Sequence, residues 1–421
     1  MNTPEELKTS TKNKISSSLR SLRNFMVKTT LGDSVYHPRE DSYLLAHVVQ
    51  KYASGNVLDL GTGTGIQAYA AAQKKGVVHV VAIDKNPAAI RFAKKHAAVN
   101  HKIEFFVGDL FEPIQKKKCP VQKFDTIIFN PPYLPDDQGP SDISVIGGKH
   151  GHETIERMLS QANNYLTSRG KILLLFSSLT NKEKIDDMLR ENLFQSRLLQ
   201  TTRFFYEHLY VYLITRTPLL KQLDAKGITQ LSLLGKGKRK LVYKARYSNK
   251  DVVVKIKRPD SAAEPILREV KMLQFLSRKK LAPNVYVWSK KFFVTDYVPG
   301  IFLKDWIDYA TLDEVKIVLK KVFLWCYQLD KAGISKKEMH HPWKHVLIHG
   351  KNIGFIDFER AHKTNDPKNV SQFVQFVFLL TKRLKNKGFH VHRAALIKKI
   401  QHYKKAFDQR SFEELMDEMQ L

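Results

Sequence analysis

The feature that most constrains this chain is a repeated order of strand, loop and helix, with acids ending the strands. Val57-Leu-Asp-Leu60 reads as a short buried strand, Gly61-Thr-Gly-Thr-Gly65 as a tight loop, and Ile66 to Gln73 as an alanine-rich helix. Val78 to Ile83 is a second strand closed by Asp84, and Pro87 to Val99 is a helix with proline in its first turn. Ile103 to Val107 is a third strand, followed by Gly108-Asp109. Parallel strands need a crossover, usually helical, to bring the chain back to the same end of the sheet. This alternation therefore predicts an α/β domain with a doubly wound parallel sheet.

A fourth strand, Thr126 to Phe129, runs into Asn130-Pro131-Pro132-Tyr133. Ligands bind at the carboxyl ends of strands in such sheets. Asn130 offers one carbonyl acceptor and one NH2 donor. The two prolines fix two φ angles and hold an extended turn. Tyr133 adds a flat ring. Acceptors placed this way can take both hydrogens of a planar NH2 group while the ring covers its face. The same four residues also suit a plain strand-ending turn. A fifth strand is expected at Lys171 to Phe176 after a helix from Ile155 to Leu166, then a helix from Lys182 to Glu191. Ser196 to Thr201 and His208 to Thr215 read as a closing pair of strands.

Glycines between a strand and a helix let a ligand approach the backbone. The dinucleotide pattern G-x-G-x-x-G fails here, because Ile66 stands at its third glycine. The spacing is G-x-G-x-G, preceded by Asp59. Asp84, at the end of the next strand, can accept a ribose diol, and Asp109 can receive an adenine amine. In this order the residues resemble a class I methyltransferase that uses S-adenosylmethionine. The resemblance implies that Asp59, Gly61, Thr62, Gly63 and Gly65 form the loop at the methionine end. It places Asp84 on the ribose and Asp109 with Leu110 on the adenine. Asn130, Pro131, Pro132 and Tyr133 would be the catalytic loop, with Asn130 also beside the cofactor.

Asn-Pro-Pro-Tyr occurs in enzymes that methylate the adenine amine of RNA or DNA and in those that methylate the glutamine amide of release factors. Tyr36-x-Pro-Arg-Glu-Asp-Ser42 and Gly147-Gly148-Lys-His-Gly151 resemble motifs of the HemK-type protein-glutamine methyltransferases, in their archaeal and eukaryotic branch. An acid usual in the second motif is His150 here. This resemblance implies a translation release factor as substrate and a small zinc-ribbon activator as partner. Pro38 to Asp41 can close the cofactor site, while Asp41 or Ser42 can equally cap the helix that carries Leu44, Leu45, Val48 and Val49.

Composition shifts between Arg216 and Ile228, and a second pattern follows. Leu234-Gly235-Lys-Gly237 resembles a kinase glycine loop with Lys240 in place of a third glycine. Val252-Val-Val-Lys255 resembles the strand of the phosphate-binding lysine, with Glu269 as its helix partner. Phe293 to Gly300 resembles the hinge, and Ile356-Asp357-Phe358-Glu359 the metal-binding Asp-Phe-Gly. Together they resemble the RIO-like atypical kinases, which implies a kinase-like α+β domain binding ATP with Mg2+ or Mn2+ held by Asp357. No His-Arg-Asp precedes Asp357. Glu338 is the candidate base, and Lys344 or His345 the candidate at the metal-side Asn position. A unit that only binds and senses nucleotide is the alternative.

The expected organisation is a polar arm over 1–30, a methyltransferase domain over 31–215, a kinase-like domain over 222–405 and a tail over 406–421. At 421 residues and 43% hydrophobic, the chain can bury ordinary cores. Its two cysteines form no metal or disulfide pattern, which suits a reducing cytoplasm. No apolar run is long enough for a membrane span, and the N-terminus lacks a signal-like core, so no membrane contact is expected. The formal net charge of +29 points to RNA or the ribosome, or to a general surface-lysine habit.

Overall fold

The computed structural model describes residues 35–97, 101–136, 146–204, 206–258, 261 and 265–421. The arm expected over 1–30 lies outside the described residues. The chain divides into two compact units, Met1–Ser232 and Leu233–Leu421.

The first unit begins with α1 (Glu40–Tyr52), β1 (Gly55–Leu60), α2 (Ile66–Ala72), β2 (Val77–Asp84), α3 (Pro87–Ala97) and β3 (Ile103–Val107). The one-turn α4 (Glu112–Gln115), β4 (Phe124–Phe129), α5 (Glu153–Ala162) and β5 (Leu166–Ser177) follow. It ends with α6 (Lys182–Glu191), β6 (Phe194–Arg203), β7 (His208–Arg216) and α7 (Pro218–Ala225). The seven strands lie in the order β3-β2-β1-β4-β5-β7-β6. β1 to β5 pair in parallel, and β7 runs antiparallel to both β5 and β6. This is the class I methyltransferase sheet. Val57, Leu58, Ile127 and Ile128 are fully buried, as strands covered on both faces must be. Strand order reverses between β1 and β4, the switch point where such sheets bind ligands. Leu60 pairs with Phe129, so the glycine loop and the Asn130 loop leave the sheet level with each other.

Three segments differ from the sequence reading. The helix before β5 stops at Ala162, and β5 starts at Leu166 rather than Lys171. Arg216, almost fully buried, donates to the carbonyls of Asn163 and Leu166 and so satisfies that corner. The composition shift after Arg216 is not a bare linker: α7 is capped by Thr217 and buries Leu220 and Leu223.

In the second unit, β8 (Thr229–Lys236) starts just before the boundary. It joins β9 (Lys240–Tyr247), β10 (Lys250–Lys257), β11 (Val285–Trp288) and β12 (Phe292–Asp296) in the order β11-β12-β10-β9-β8. Helix α8 (Pro265–Ser277) follows β10 in sequence. Next come β13 (Ile301–Phe302), α9 (Leu303–Trp306), α10 (Leu312–Lys331), β14 (Ile334–Ser335), β15 (Val346–His349), β16 (Asn352–Phe355) and β17 (His362–Lys363). Helices α11 (Asn369–Leu384), α12 (Arg393–Ala406) and α13 (Gln409–Glu418) end the chain. A five-stranded sheet with one helix, followed by a helical part, is a kinase-like α+β layout. Residues 406–421, expected as a polar tail, instead join the core: Phe412, Leu415, Met416 and Met419 pack with α8, α10 and α11 residues. The acids of α13 sit on its outer face, which is why the stretch reads as polar. Among the described residues no helix is long and apolar enough to cross a membrane.

Candidate functional site

All three loop glycines take positive φ, 63° at Gly61, 53° at Gly63 and 87° at Gly65, a conformation in which a side chain is strained. Asp59 braces this loop from inside. Its Oδ2 accepts from Thr62 Oγ1 at 2.6 Å and from the Ala68 amide at 3.0 Å. Burial pushes its carboxyl up to about 7, against the pull of those two donors. A cavity of about 1080 Å³ opens beside the loop, lined by Gly61, Thr62, Gly63, Asp84, Asp109, Leu110 and Asn130 to Tyr133. Asp59 and Gly65 are not on its wall. Asp59 points into the core at 1% exposure and shapes the loop from there.

Asp84 Oδ2 accepts from the Gly63 amide and Oδ1 from the Asn86 amide, both at 2.8 Å. A carboxylate has about four acceptor positions, so each oxygen keeps one for a diol. This fits the ribose of S-adenosylmethionine. Asp84→Ala should raise the donor dissociation constant by roughly one to three decades, at about 1.5–3 kcal/mol per charged bond. Calorimetry returning an unchanged constant would place the ribose elsewhere. Asp109 also faces the cavity, but its Oδ2 is paired with Arg157 of α5, leaving Oδ1 for an amine. Arg157 lines the same cavity and had no signal in the sequence beyond its place on a helix face. Leu110 has φ 47° and is buried.

Asn130 is held by one end. Its Nδ2 donates to Asp41 Oδ2 at 2.8 Å, and Asp41 Oδ1 accepts from Tyr36 Oη at 3.0 Å. Asn130 Oδ1 has no hydrogen-bond partner. The capping role weighed for Asp41 and Ser42 is absent: Arg39 occupies the N-cap, with no side-chain cap. Asp41 instead orients the Asn130 amide so that its oxygen stays available. Burial, reinforced by Asp41, pushes the Tyr133 phenol well above its ordinary range, so it stays neutral.

The Gly-Gly-x-x-Gly segment packs on this loop by backbone. Gly147 N donates to Leu134 O at 2.9 Å. A Cβ on Gly147 would stand 2.5 Å from Pro132 O, and one on Gly151 2.4 Å from Tyr133 O. At His150, where an acid is usual, the backbone amide donates to Glu153 Oε1 at 2.9 Å.

In the second unit, Lys255 Nζ lies 2.7 Å from Glu269 Oε1, and Glu269 is fully buried. Lys240 is no passive replacement for a glycine. It pairs with Glu269 Oε2 and, at 2.8 Å, with Glu359 Oε2. Arg239 reaches Glu359 at 2.6 Å. Gly235 lies within β8, and the Gly237 amide donates to Lys240 O at 2.8 Å. Asp357 adopts φ 61°, uncommon for a residue with a side chain and frequent at working sites. Burial would raise its carboxyl, but Lys255, Lys336 and Lys240 hold it below the usual range. His345 Nδ1 stands 4.0 Å from Asp357 Oδ2, whereas Lys344 is exposed; His345 is thus the neighbour of Asp357. Glu338 lies 3.4 Å from Lys336 Nζ and 3.7 Å from Arg360 Nε. The sequence reading missed Lys336. It is fully buried, donates to Asp357 O, and sits 5.1 Å over the Phe358 ring. Only its place two residues before Glu338 hinted at this.

Comparison with known proteins bears on the first unit. A family model described as the methyltransferase small domain matches residues 39–206. A putative protein N5-glutamine methyltransferase of Methanocaldococcus jannaschii is 36% identical over 191 residues, which cover 44% of this chain and 93% of the relative. The chain belongs to the methyltransferase small-domain family. A release factor glutamine methyltransferase of Aliivibrio fischeri is 31% identical over 152 residues, covering 32% of this methyltransferase and 52% of the relative. The methyltransferase thus spans nearly all of the first relative and about half of the second. Among solved structures, the E. cuniculi Mtq2–Trm112 complex, described as methylating the eRF1 termination factor, is 25% identical. It covers 44% of this chain and 99% of its own, with a TM-score of 0.35. The bifunctional kinase-methyltransferase WbdD is 18% identical over 94% of each chain, with a TM-score of 0.39.

Proposed function

We propose that residues 31–215 methylate the side-chain amide of a glutamine in a translation release factor. The observation that carries this reading is Asn130, with its NH2 fixed by Asp41 and its oxygen unpartnered. S-adenosylmethionine supplies an electrophilic sulfonium methyl. An amide nitrogen is a poor nucleophile because its lone pair is delocalised, so the work of the chain is alignment and polarisation. Asn130 Oδ1 accepts one N–H of the acceptor amide and the Pro131 carbonyl the other. Two acceptors on the same NH2 push electron density toward nitrogen. Tyr133, neutral and half-buried, covers the amide plane. Pro132 fixes the turn between them. The names carried by the Methanocaldococcus and Aliivibrio relatives support glutamine as the acceptor. A small zinc-ribbon activator is the partner that the HemK-type resemblance implies.

The same grip suits the exocyclic amine of adenine, and the net charge of +29 favours RNA as that substrate. Incubation with labelled S-adenosylmethionine and either release factor or total RNA separates the two, followed by mass spectrometry of the product. Label on glutamine is the expected result; label on adenine overturns it.

For residues 222–405 we propose ATP binding with Mg2+ or Mn2+ on Asp357, and Glu338 as the base of a phosphate transfer. The Lys255–Glu269 pair and the charge around Asp357 support this reading. Asp357→Ala should weaken nucleotide binding and remove its metal dependence. Glu338→Ala should leave binding intact and stop transfer, since a base touches the acceptor hydroxyl and not the nucleotide. Nucleotide bound by the unaltered chain with no phosphate transferred would make this unit a sensor.

A further inference from the structure

His150, His152 and Glu153 form a cluster beside the acceptor loop that none of these roles uses. One ligand atom from each lies within 4.8 Å of the others. His150 Nδ1 is 3.0 Å from Glu153 Oε1, and the two imidazoles stack with centroids 5.5 Å apart. His152 Nδ1 is buried and has no hydrogen-bond partner.

We propose that this turn binds one zinc ion. Two imidazoles and a carboxylate are a donor set that zinc takes with three protein ligands, leaving a fourth position open. Mg2+ and Ca2+ prefer oxygen ligands and are poorly served by it. Bonds of about 2.0–2.1 Å in tetrahedral array put ligand atoms about 3.3 Å apart. His150 Nδ1 and Glu153 Oε1 already stand 3.0 Å apart, so closing the widest pair, by up to about 1.5 Å, is a movement between His152 and these two. The ion would give His152 Nδ1 the partner that a buried polar atom needs. It would also fix the turn whose glycines lie against the carbonyls of Pro132 and Tyr133. Zinc at this turn stiffens the loop that grips the acceptor.

The acids Glu269, Asp357 and Glu359 also lie within ligand distance of one another, so they are a competing site for added metal. The test therefore uses the full chain carrying Asp357→Ala, stripped with chelator and titrated with Zn2+ alone by calorimetry. One ion per chain should bind, with a rise in melting temperature that Mg2+ does not reproduce. His152→Ala and His150→Ala should each weaken binding by more than the roughly 10–100-fold that changes in outer-shell partners cause. His150 is exposed, so His150→Ala keeps the fold even if His152→Ala does not. Zinc affinity unchanged by His150→Ala, or no saturable binding at all, overturns the proposal. The readout is metal binding, so it stands or falls apart from the methyl acceptor.

Discussion

Asn130→Ala will abolish methyl transfer while leaving S-adenosylmethionine affinity nearly unchanged. The substitution removes a buried side-chain acceptor that has no partner, and it leaves Asp84, Asp109 and the glycine loop in place. Loss of a single preorganised dipole at a reacting group costs roughly 10²–10³ in turnover. Asp41→Asn sharpens the test. With an amide at position 41, either end of Asn130 finds a partner there, so its NH2 can turn toward the acceptor as readily as its oxygen. Turnover should then fall by up to about a hundredfold, the scale of an ångström-sized misplacement, again with little change in donor affinity. Single-turnover rates and donor calorimetry on both variants give the answer. Near-normal turnover in Asn130→Ala, or a loss of donor binding that matches the loss of rate, would move Asn130 out of the acceptor site.

The sequence made the β1–loop–α2 unit and β4 legible because each is an apolar run closed by residues of fixed backbone habit. Three glycines with positive φ and two prolines leave little choice of local structure. Asp84 and Asp109 could be placed because acids at strand ends lie at the ligand-binding edge of a parallel sheet. What the sequence hid were partners brought from afar. Asp41 and Asn130 are 89 residues apart, and Asp109 and Arg157 are 48 apart. No local pattern records such pairs. Lys240 was visible only as a missing glycine, since its role depends on Glu269 and Glu359 from other elements. α13 was read as a tail because its acids outnumber its core contacts in sequence, although Phe412 and Leu415 share one face.

Glu269→Gln will destabilise the second unit more than any surface change. Glu269 is fully buried between Lys255 and Lys240, which are themselves 13% and 8% exposed in their side chains. Removing one partner of a buried ion pair leaves charge without compensation and costs about 3–5 kcal/mol. For a unit of this size that is a fall of roughly 10 °C in melting temperature. The pH dependence follows from the same network. Burial would raise the Glu269 carboxyl, but Lys255 and Lys240 outweigh it and hold the folded value below the ordinary one. A carboxyl depressed on folding contributes stability that is present above its unfolded value, about 4.3, and lost as pH falls through the folded one. The parent should therefore lose stability in its second unit only below about pH 4, and Glu269→Gln should lack that part of the acid transition. Lys255→Met on top of Glu269→Gln should recover part of the loss, because it withdraws the cation whose carboxylate partner was removed, whereas Lys240 keeps Glu359 at 2.8 Å. Scanning calorimetry of the single and double variants from pH 3 to pH 7 measures each effect. A melting temperature unmoved by Glu269→Gln would show that the two lysines find water or other anions, and that the network does not hold the unit together.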